Sequence, residues 1–562
     1  MNQRNPAIVA QSAVRRLPRL ALLLFCVAYV LPGFIGREPW KAADISAFGY
    51  MAELANGLST WFSPTLLGQP PEIDALLPYW LGAWAMQIAP AWVSPDFAAR
   101  VPFGLLLALT LTATWYGTYY LSRSPQAQPV AFAFGGEASP ADYARAMADG
   151  GLLALIASLG LAQLSHETTP AQVQLCFAAL TFYGVAATPY WTLGPALGLV
   201  AGLTGLSLSG APAMSLMFGL GSAVICLMDR QPDSQIQARK LRWALAIAGA
   251  TVLAAGLAWA LDLWRWRIAL PQATWRDWRN MGRLLLWFTW PAWPLAVWTL
   301  WRWRRQLGSR HVAVPLWFAS VAVATTLTTQ ATDRSLLLGL PAFAALAAFA
   351  LPTLKRSVAA LVDWFTLLFF SGCAIIIWVI WIAMQTGMPR QPAANVARLA
   401  PGFVPSFSLT AFITALAATL AWAWLVQWRA GRHQAAIWKS LVLPAGGAAL
   451  SWLLLMTLWM PLLDFARSYN AQVHNIVARM DVPGCAQVHG LSRAQITALQ
   501  YHGHLHLRYA GTVATCPWLI VDADALDSLR SSVNMKHWTL IATLRRLTDE
   551  NDDVLLYKRV GH

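Results

Sequence analysis

Apolar stretches long enough to cross a bilayer recur along almost the whole chain, and they constrain its fold more than any other feature. About 18 or more consecutive apolar residues suffice for a transmembrane helix. Such stretches occupy residues 14–35, 99–121, 149–165, 171–188, 190–208, 212–229, 241–262, 284–302, 312–330, 335–352, 358–384, 407–427 and 439–461. They predict a polytopic α-helical membrane protein with about 13 transmembrane helices in residues 1–461, followed by a polar tail, 462–562. Residues 76–92 are also apolar, but short, proline-containing and rich in Trp and Tyr, which fits an interfacial helix better than a span. With 57% hydrophobic residues and 31 tryptophans, a soluble enzyme is excluded.

The net charge of +15 raises the question of nucleic acid, yet most arginines sit in short loops between apolar runs. Loop arginines of that kind set topology or meet lipid phosphate. No nucleic-acid partner is predicted; membrane lipids are. The amino-terminal segment lacks a small-residue cleavage site and reads as an uncleaved first span, with Arg4, Arg15, Arg16 and Arg19 on the cytoplasmic side. Counting onward, Arg239 and Lys240, Arg304 and Arg305, Lys355 and Arg356, and Arg429 and Arg432 fall on that side too. An odd number of spans then places the tail outside. One loop breaks the rule: 263–283 carries Arg265, Arg267, Arg276, Arg279 and Arg283 on the outer side. It reads either as an amphipathic interfacial helix or as a set of guanidinium groups for a lipid phosphate.

Cys26, Cys176, Cys226 and Cys373 lie in apolar runs, whereas Cys485 and Cys516 lie in the tail, where an outer location allows a disulfide. The tail alternates strand and helix patterns and predicts a small periplasmic α/β domain. Its His502, His504 and His506 alternate as on one face of a strand, without a carboxylate or cysteine to complete a metal set, so no metal site is predicted. No P-loop, dinucleotide fingerprint, HExxH or GxSxG motif is present in a suitable context.

Chemistry concentrates in the first outer loop, 36–98. Its stretch Gly36–Trp80 holds Lys41, Asp44, Glu53, Glu72 and Asp74 in a chain with only 12% charged residues. Carboxylates at the mouth of a membrane bundle are costly and mark function. Asp44 stands a few residues before Phe48; AELANGLSTW, SPTLLG, YWLGA (Tyr79–Ala83) and AARVP (Ala98–Pro102) follow in order. In this order and spacing, residues 31–121 resemble the amino-terminal part of GT-C glycosyltransferases. The likeness is strongest to the bacterial aminoarabinose-to-lipid-A transferases and their protein-mannosyltransferase relatives. LLLWFTWPAWPLAVW (284–298) and DRSLLLGLPAFAALAAFALP (333–352) look like later spans of that family.

The resemblance implies an inner-membrane glycosyltransferase, with the amino terminus cytoplasmic and the carboxyl terminus periplasmic. Its donor is a polyprenyl-phosphate sugar and its acceptor a lipid such as lipid A, a glycan or a protein. A non-catalytic scaffold, such as a flippase partner or assembly factor, is the alternative. No cofactor is required by the resemblance, though a divalent metal is compatible with it. Asp44 matches the family's first-loop aspartate and is expected to act as base or to orient the acceptor; capping a helix near Ile45 is the structural alternative. Glu167, in Ser165-His166-Glu167-Thr168-Thr169, matches a second acid, with a solvated His166–Glu167 pair as the alternative. Arg334 matches a basic position and would bind donor phosphate or pair with Asp333. The chain has Ile45 where relatives carry a second acid, and EIDALLPYW where they carry an acid–lysine–proline–proline run. Glu72, Asp74 and Tyr79 are the corresponding substrate-binding candidates, with Lys41, Arg265 and Arg267 supplying the missing positive charge.

Overall fold

The computed structural model describes residues 5–228, 234–264, 274–329, 333–430, 436–482, 484–511, 513, 515–546 and 549–560. The chain is a polytopic helical membrane protein with a small carboxyl-terminal sheet domain. Every predicted apolar segment contains helix. Seven helices are long and apolar enough to span a bilayer: Pro95–Ser122, Pro170–Ala187, Ala238–Ala260, Arg310–Thr328, Arg356–Thr386, Leu409–Arg429 and Lys439–Leu458. Arg19–Val30, Leu193–Leu208, Pro212–Met228 and Leu340–Thr353 are apolar but shorter.

Several segments expected to be continuous are broken, among them 335–352, which divides into Asp333–Leu337 and Leu340–Ala350, and two of the breaks fit each other. The helix Pro140–Ala157 stops inside the predicted 149–165 span, and 284–302 divides into Trp275–Phe288 and Ala292–Arg302 around Pro291, whose ring cannot continue a helix. The N–H groups of Leu159 and Gly160 donate to the carbonyls of Trp290 (3.0 Å) and Phe288 (2.9 Å). Each break thereby satisfies backbone groups freed by the other, the condition for irregular chain within a bundle. Hydropathy averages across such breaks, so a span count read from it cannot register them.

Four helices frame the site: α1 (Arg19–Val30), α2 (Ala43–Ala55), α3 (Leu77–Ile88) and α4 (Pro95–Ser122). The short apolar run at 76–92 forms α3, packed on α2 and α4. At the end of α1, Gly33 adopts φ +96°, and a side chain there would lie 2.5 Å from Trp452. Only glycine turns the chain this way so close to another ring.

The tail forms a sheet of order β2-β1-β3-β5-β4, with β1 Cys485–His489, β2 His506–Tyr509, β3 Trp518–Asp522, β4 Trp538–Arg546 and β5 Asp549–Arg559. β1 runs parallel to β2 and β3; β5 runs antiparallel to β3 and β4. The helix Arg493–Tyr501 connects β1 to β2 and opens with a Ser492/Gln495 capping box. Cys485 and Cys516 are disulfide-bonded. The three histidines do not share a strand face as expected: His502 follows the helix, His504 takes φ +49°, and only His506 lies in β2. The tight helix-to-strand turn breaks the alternation.

This domain docks on the first loop through helix Arg493–Tyr501, which packs along α2. Phe48 meets Tyr501 edge-on at 4.8 Å, and Glu53 accepts from Gln500 (3.2 Å). Gly49 permits the close approach: a Cβ there would sit 2.1 Å from Thr497 Oγ1. Gly49→Leu is expected to weaken the docking by about 1–3 kcal/mol, the usual cost of overpacking. Limited proteolysis should then cut between residues 470 and 484 much faster than in the wild type; equal cleavage rates would contradict this account.

Candidate active site

The site is built where three separate segments meet at one end of the bundle: the chain after α1 with the start of α2, the loop 165–169, and the short helix Asp333–Leu337. Asp44 lies in the first turn of α2 and is only 1% exposed. Its Oδ2 accepts from Arg37 Nη1 at 2.6 Å and from the Trp40 N–H at 3.1 Å. Its Oδ1 accepts from the Thr168 N–H at 2.7 Å and the Thr168 hydroxyl at 2.6 Å. The carboxylate therefore receives four donors and caps no helix; its partners precede α2 or come from another loop. Burial alone would raise its pKa, but Arg37, Thr168 and the charge of Arg100 outweigh it and hold the carboxyl below its usual range.

Arg37 is the hub of this arrangement. Besides Asp44, its guanidinium donates to the carbonyls of Gly33 and His166, each at 2.6 Å, and it lies 4.8 Å from the Trp40 ring centre. The Arg37–Asp44 pair is almost wholly buried, with 2% and 1% side-chain exposure. It joins the first loop to residues more than a hundred positions later. His166 is itself buried, its Nε2 3.1 Å from the Tyr29 carbonyl and its ring 4.6 Å from Trp452. It anchors the 165–169 loop to α1; it is not a solvated loop residue.

Glu167 contrasts with Asp44. It is 6% exposed and receives only Gln163 Nε2 at 3.2 Å and Arg334 Nη2 at 3.3 Å among the described residues. Burial, and then the neighbouring Asp44 charge, raise its carboxyl above the usual range, with Arg334 and Gln163 opposing. Two carboxyl groups in one cluster are thus driven apart: Asp44 is held ionised, and Glu167 is made a better proton acceptor. Arg334, from Asp333–Leu337, is 27% exposed at its side chain and is the more open partner of Glu167. Arg467 lies 5.3 Å from the Trp40 ring centre and feels the Glu167 charge.

The remaining candidates fall elsewhere. Glu72 is 77% exposed at its side chain and pairs with Arg493 of the tail domain at 3.0 Å. Asp74 sets its carbonyl against Gly210, and Tyr79 is buried with its ring 5.3 Å from Tyr50. The Lys41 N–H donates to the Arg467 carbonyl at 2.9 Å, but the cation on Asp44 is Arg37. Arg265 and Arg267 lie outside the described residues. In the described part of that loop, Arg276, Arg279 and Arg283 are exposed on the helix Trp275–Phe288, beside exposed Trp275 and Trp278. No group of three or more His, Cys, Asp or Glu side chains among the described residues is placed to hold a metal ion.

Sequence reasoning passed over several members. Arg37 stands in the same stretch as Asp44, and Arg100 opens an apolar helix, where a charge signals a buried role. Arg100 pairs with Asp96, which also accepts from the Tyr501 hydroxyl at 3.0 Å, and Arg100 Nη1 lies 3.4 Å from the Phe34 carbonyl. Glu38 binds Ser468 and Asn470, and Asp464 accepts from the Glu38 N–H and Trp40 Nε1 at 2.9 and 2.8 Å. Thr168 has no chemical signature of its own; only its position beside Glu167 marks it.

Comparison with known proteins places the fold in a known scaffold. No family model and no curated protein sequence matches the chain. Among solved structures, ArnT from Cupriavidus metallidurans in the apo state superposes with a TM-score of 0.59 at 14% identity, covering 96% of each chain. ArnT from the same organism bound to undecaprenyl phosphate gives 0.60 at 13% identity, over 97% of this chain and 99% of that one. The chain shares the ArnT fold across nearly its whole length.

Proposed function

We propose, from an ArnT-like fold and this site, that the chain is a bacterial inner-membrane glycosyltransferase. It moves a sugar from a polyprenyl-phosphate donor to a lipid such as lipid A, a glycan or a protein on the periplasmic side. The observation that carries the reading is the convergence of Asp44 and Glu167, from separate loops, into one buried cluster with Arg37 and Arg334. In the reaction, the acceptor oxygen loses its proton to the Glu167 carboxylate as it attacks the sugar's anomeric carbon. The bond from that carbon to the carrier phosphate breaks, with inversion, and the negative charge passes to the phosphate. Arg334, with Arg265 and Arg267, is the proposed counter-charge for that phosphate. Asp44 positions the cluster through Arg37 and Thr168. Undecaprenyl phosphate bound to ArnT supports a donor of this class.

A second reading, a non-catalytic scaffold such as a flippase partner, draws on one observation: Asp44 is fully buried and all its visible acceptor capacity is used. Mass spectrometry of lipid A and surface glycans from a deletion strain separates the two. A glycan modification lost on deletion, and restored by the wild-type chain but not by Glu167→Gln, supports the enzyme. Restoration by Glu167→Gln supports the scaffold.

A further inference from the structure

An apolar cleft of about 400 Å³ lies between the helices Ala292–Arg302 and Arg356–Thr386, and none of the cluster around Asp44 and Glu167 lines it. On the second helix its lining runs from Val358 to Phe370, a rise of about 18 Å at 1.5 Å per residue. That is close to half of a hydrocarbon core about 30 Å thick. The helix itself, at 31 residues, is long enough to cross the whole core, so the cleft occupies the depth of one leaflet. Trp287, Leu361 and Phe365 line it and are exposed, which opens it sideways to the bilayer. Its inner end is walled by Leu159, Trp290 and Pro291, where the two broken segments share backbone hydrogen bonds.

The other end is marked by charge. There the lining reaches Leu354, next to Lys355 and Arg356, and Trp298, one turn before Arg302. Arg302, Arg304, Arg305, Lys355 and Arg356 are all exposed, and none of the five is in an ion pair among the described residues. Residues 278–332 and 334–362 contain no Asp or Glu. Lys355 caps its helix without a side-chain hydrogen bond, which leaves the N–H groups of the first turn for an anion. Asp333–Leu337 and Leu340–Ala350 lead from Arg334, beside Glu167, to this end of the bundle. The basic mouth therefore lies on the face opposite the candidate site.

We infer that this cleft binds an anionic glycerophospholipid of the leaflet opposite the candidate site. An acyl chain fills the cleft, and the headgroup phosphate rests on Lys355, Arg356 and Arg302. The depth of one leaflet fits an acyl chain, and five cations without an acid select a negative head over a neutral one. The chain also packs over the paired breaks, the least regular backbone on this side of the bundle. The site is separate from the glycosyltransferase reading and does not depend on it.

Native mass spectrometry of the full chain released from detergent tests the assignment, with phosphatidylglycerol or phosphatidylcholine of identical acyl chains added in turn. The wild type should retain phosphatidylglycerol with about tenfold or higher affinity over phosphatidylcholine. Lys355→Gln with Arg356→Gln should remove most of that preference. Arg390→Gln with Arg398→Gln, on the exposed helix Arg390–Leu399, removes the same charge elsewhere and should keep it. Val358→Trp narrows the cleft and should weaken retention of both lipids; Leu361→Trp, at a side chain 69% exposed on the rim, replaces it should that variant not fold. Equal retention of the two lipids by the wild type, or an unchanged preference in the Lys355/Arg356 variant, overturns the anionic site. Unchanged retention in the tryptophan variant puts the lipid elsewhere and overturns the cleft. A dimer that forms only without lipid makes this face a contact between copies and overturns the proposal as well.

Discussion

Glu167→Gln is expected to lower the rate of sugar transfer by about 10²–10⁴-fold, the usual contribution of a positioned general base, while the protein folds and binds donor lipid normally. The amide retains the shape of the side chain and can still meet Gln163 and Arg334, so the lesion is chemical. Because burial and Asp44 raise the Glu167 carboxyl, the wild-type rate should climb with pH through that elevated pKa, where the group becomes able to accept a proton. The sign for stability is opposite. A carboxyl raised in the folded state contributes most below its unfolded pKa, and that contribution declines as pH rises through the folded value. A wild-type profile with an ascending limb that vanishes in Glu167→Gln, measured with labelled donor lipid in membranes, is the expected result. An unimpaired rate in the variant removes Glu167 from the mechanism.

Arg37→Met should produce the largest loss of stability, about 3–5 kcal/mol, the cost of leaving one partner of a buried ion pair alone. Asp44 would remain in the cluster without its counter-charge, and the Gly33 and His166 carbonyls would lose a charged donor. Replacing both partners, as Arg37→Met with Asp44→Leu, should be less damaging than Arg37→Met alone, since no charge is stranded. The comparison is read from midpoints of thermal unfolding in detergent at fixed lipid concentration. Additive effects of the two substitutions would show that the pair does not act as a unit. The pH dependence follows from Asp44 being depressed. Its stabilisation is fully present above the unfolded carboxyl value, about 3.9, and is lost as pH falls through the folded value. Arg37→Met should flatten that acid limb.

These two expectations divide roles that the sequence had placed mainly on one residue. Asp44 was legible because a carboxylate at the mouth of a membrane bundle is rare, but its four donors are not. Thr168 lies 124 positions away, and no periodicity links it to Asp44. Glu72 and Asp74 read as substrate-binding candidates standing where relatives carry an acidic run. Glu72 instead pairs with Arg493, and Asp74 packs beside Gly210, because the loop turns away after α2 to meet the tail domain. The histidines at 502, 504 and 506 misled for a related reason: alternation is a strand signal only where a strand exists, and a helix end intervenes.

By itself the sequence determined that the chain is a helical membrane protein with an α/β tail, and it allowed a bond between the tail cysteines that only the structure shows formed. The membrane helices and the α/β tail follow from local rules: hydropathy over one bilayer thickness and alternation in strands. The tertiary structure alone decided where apolar segments break, and that Arg37 is the cation paired with Asp44. It also decided that Glu167 is left the less satisfied acid. Proton affinity and donor count are properties of the space around a group. That space is assembled from distant segments, so no stretch of sequence encodes it alone.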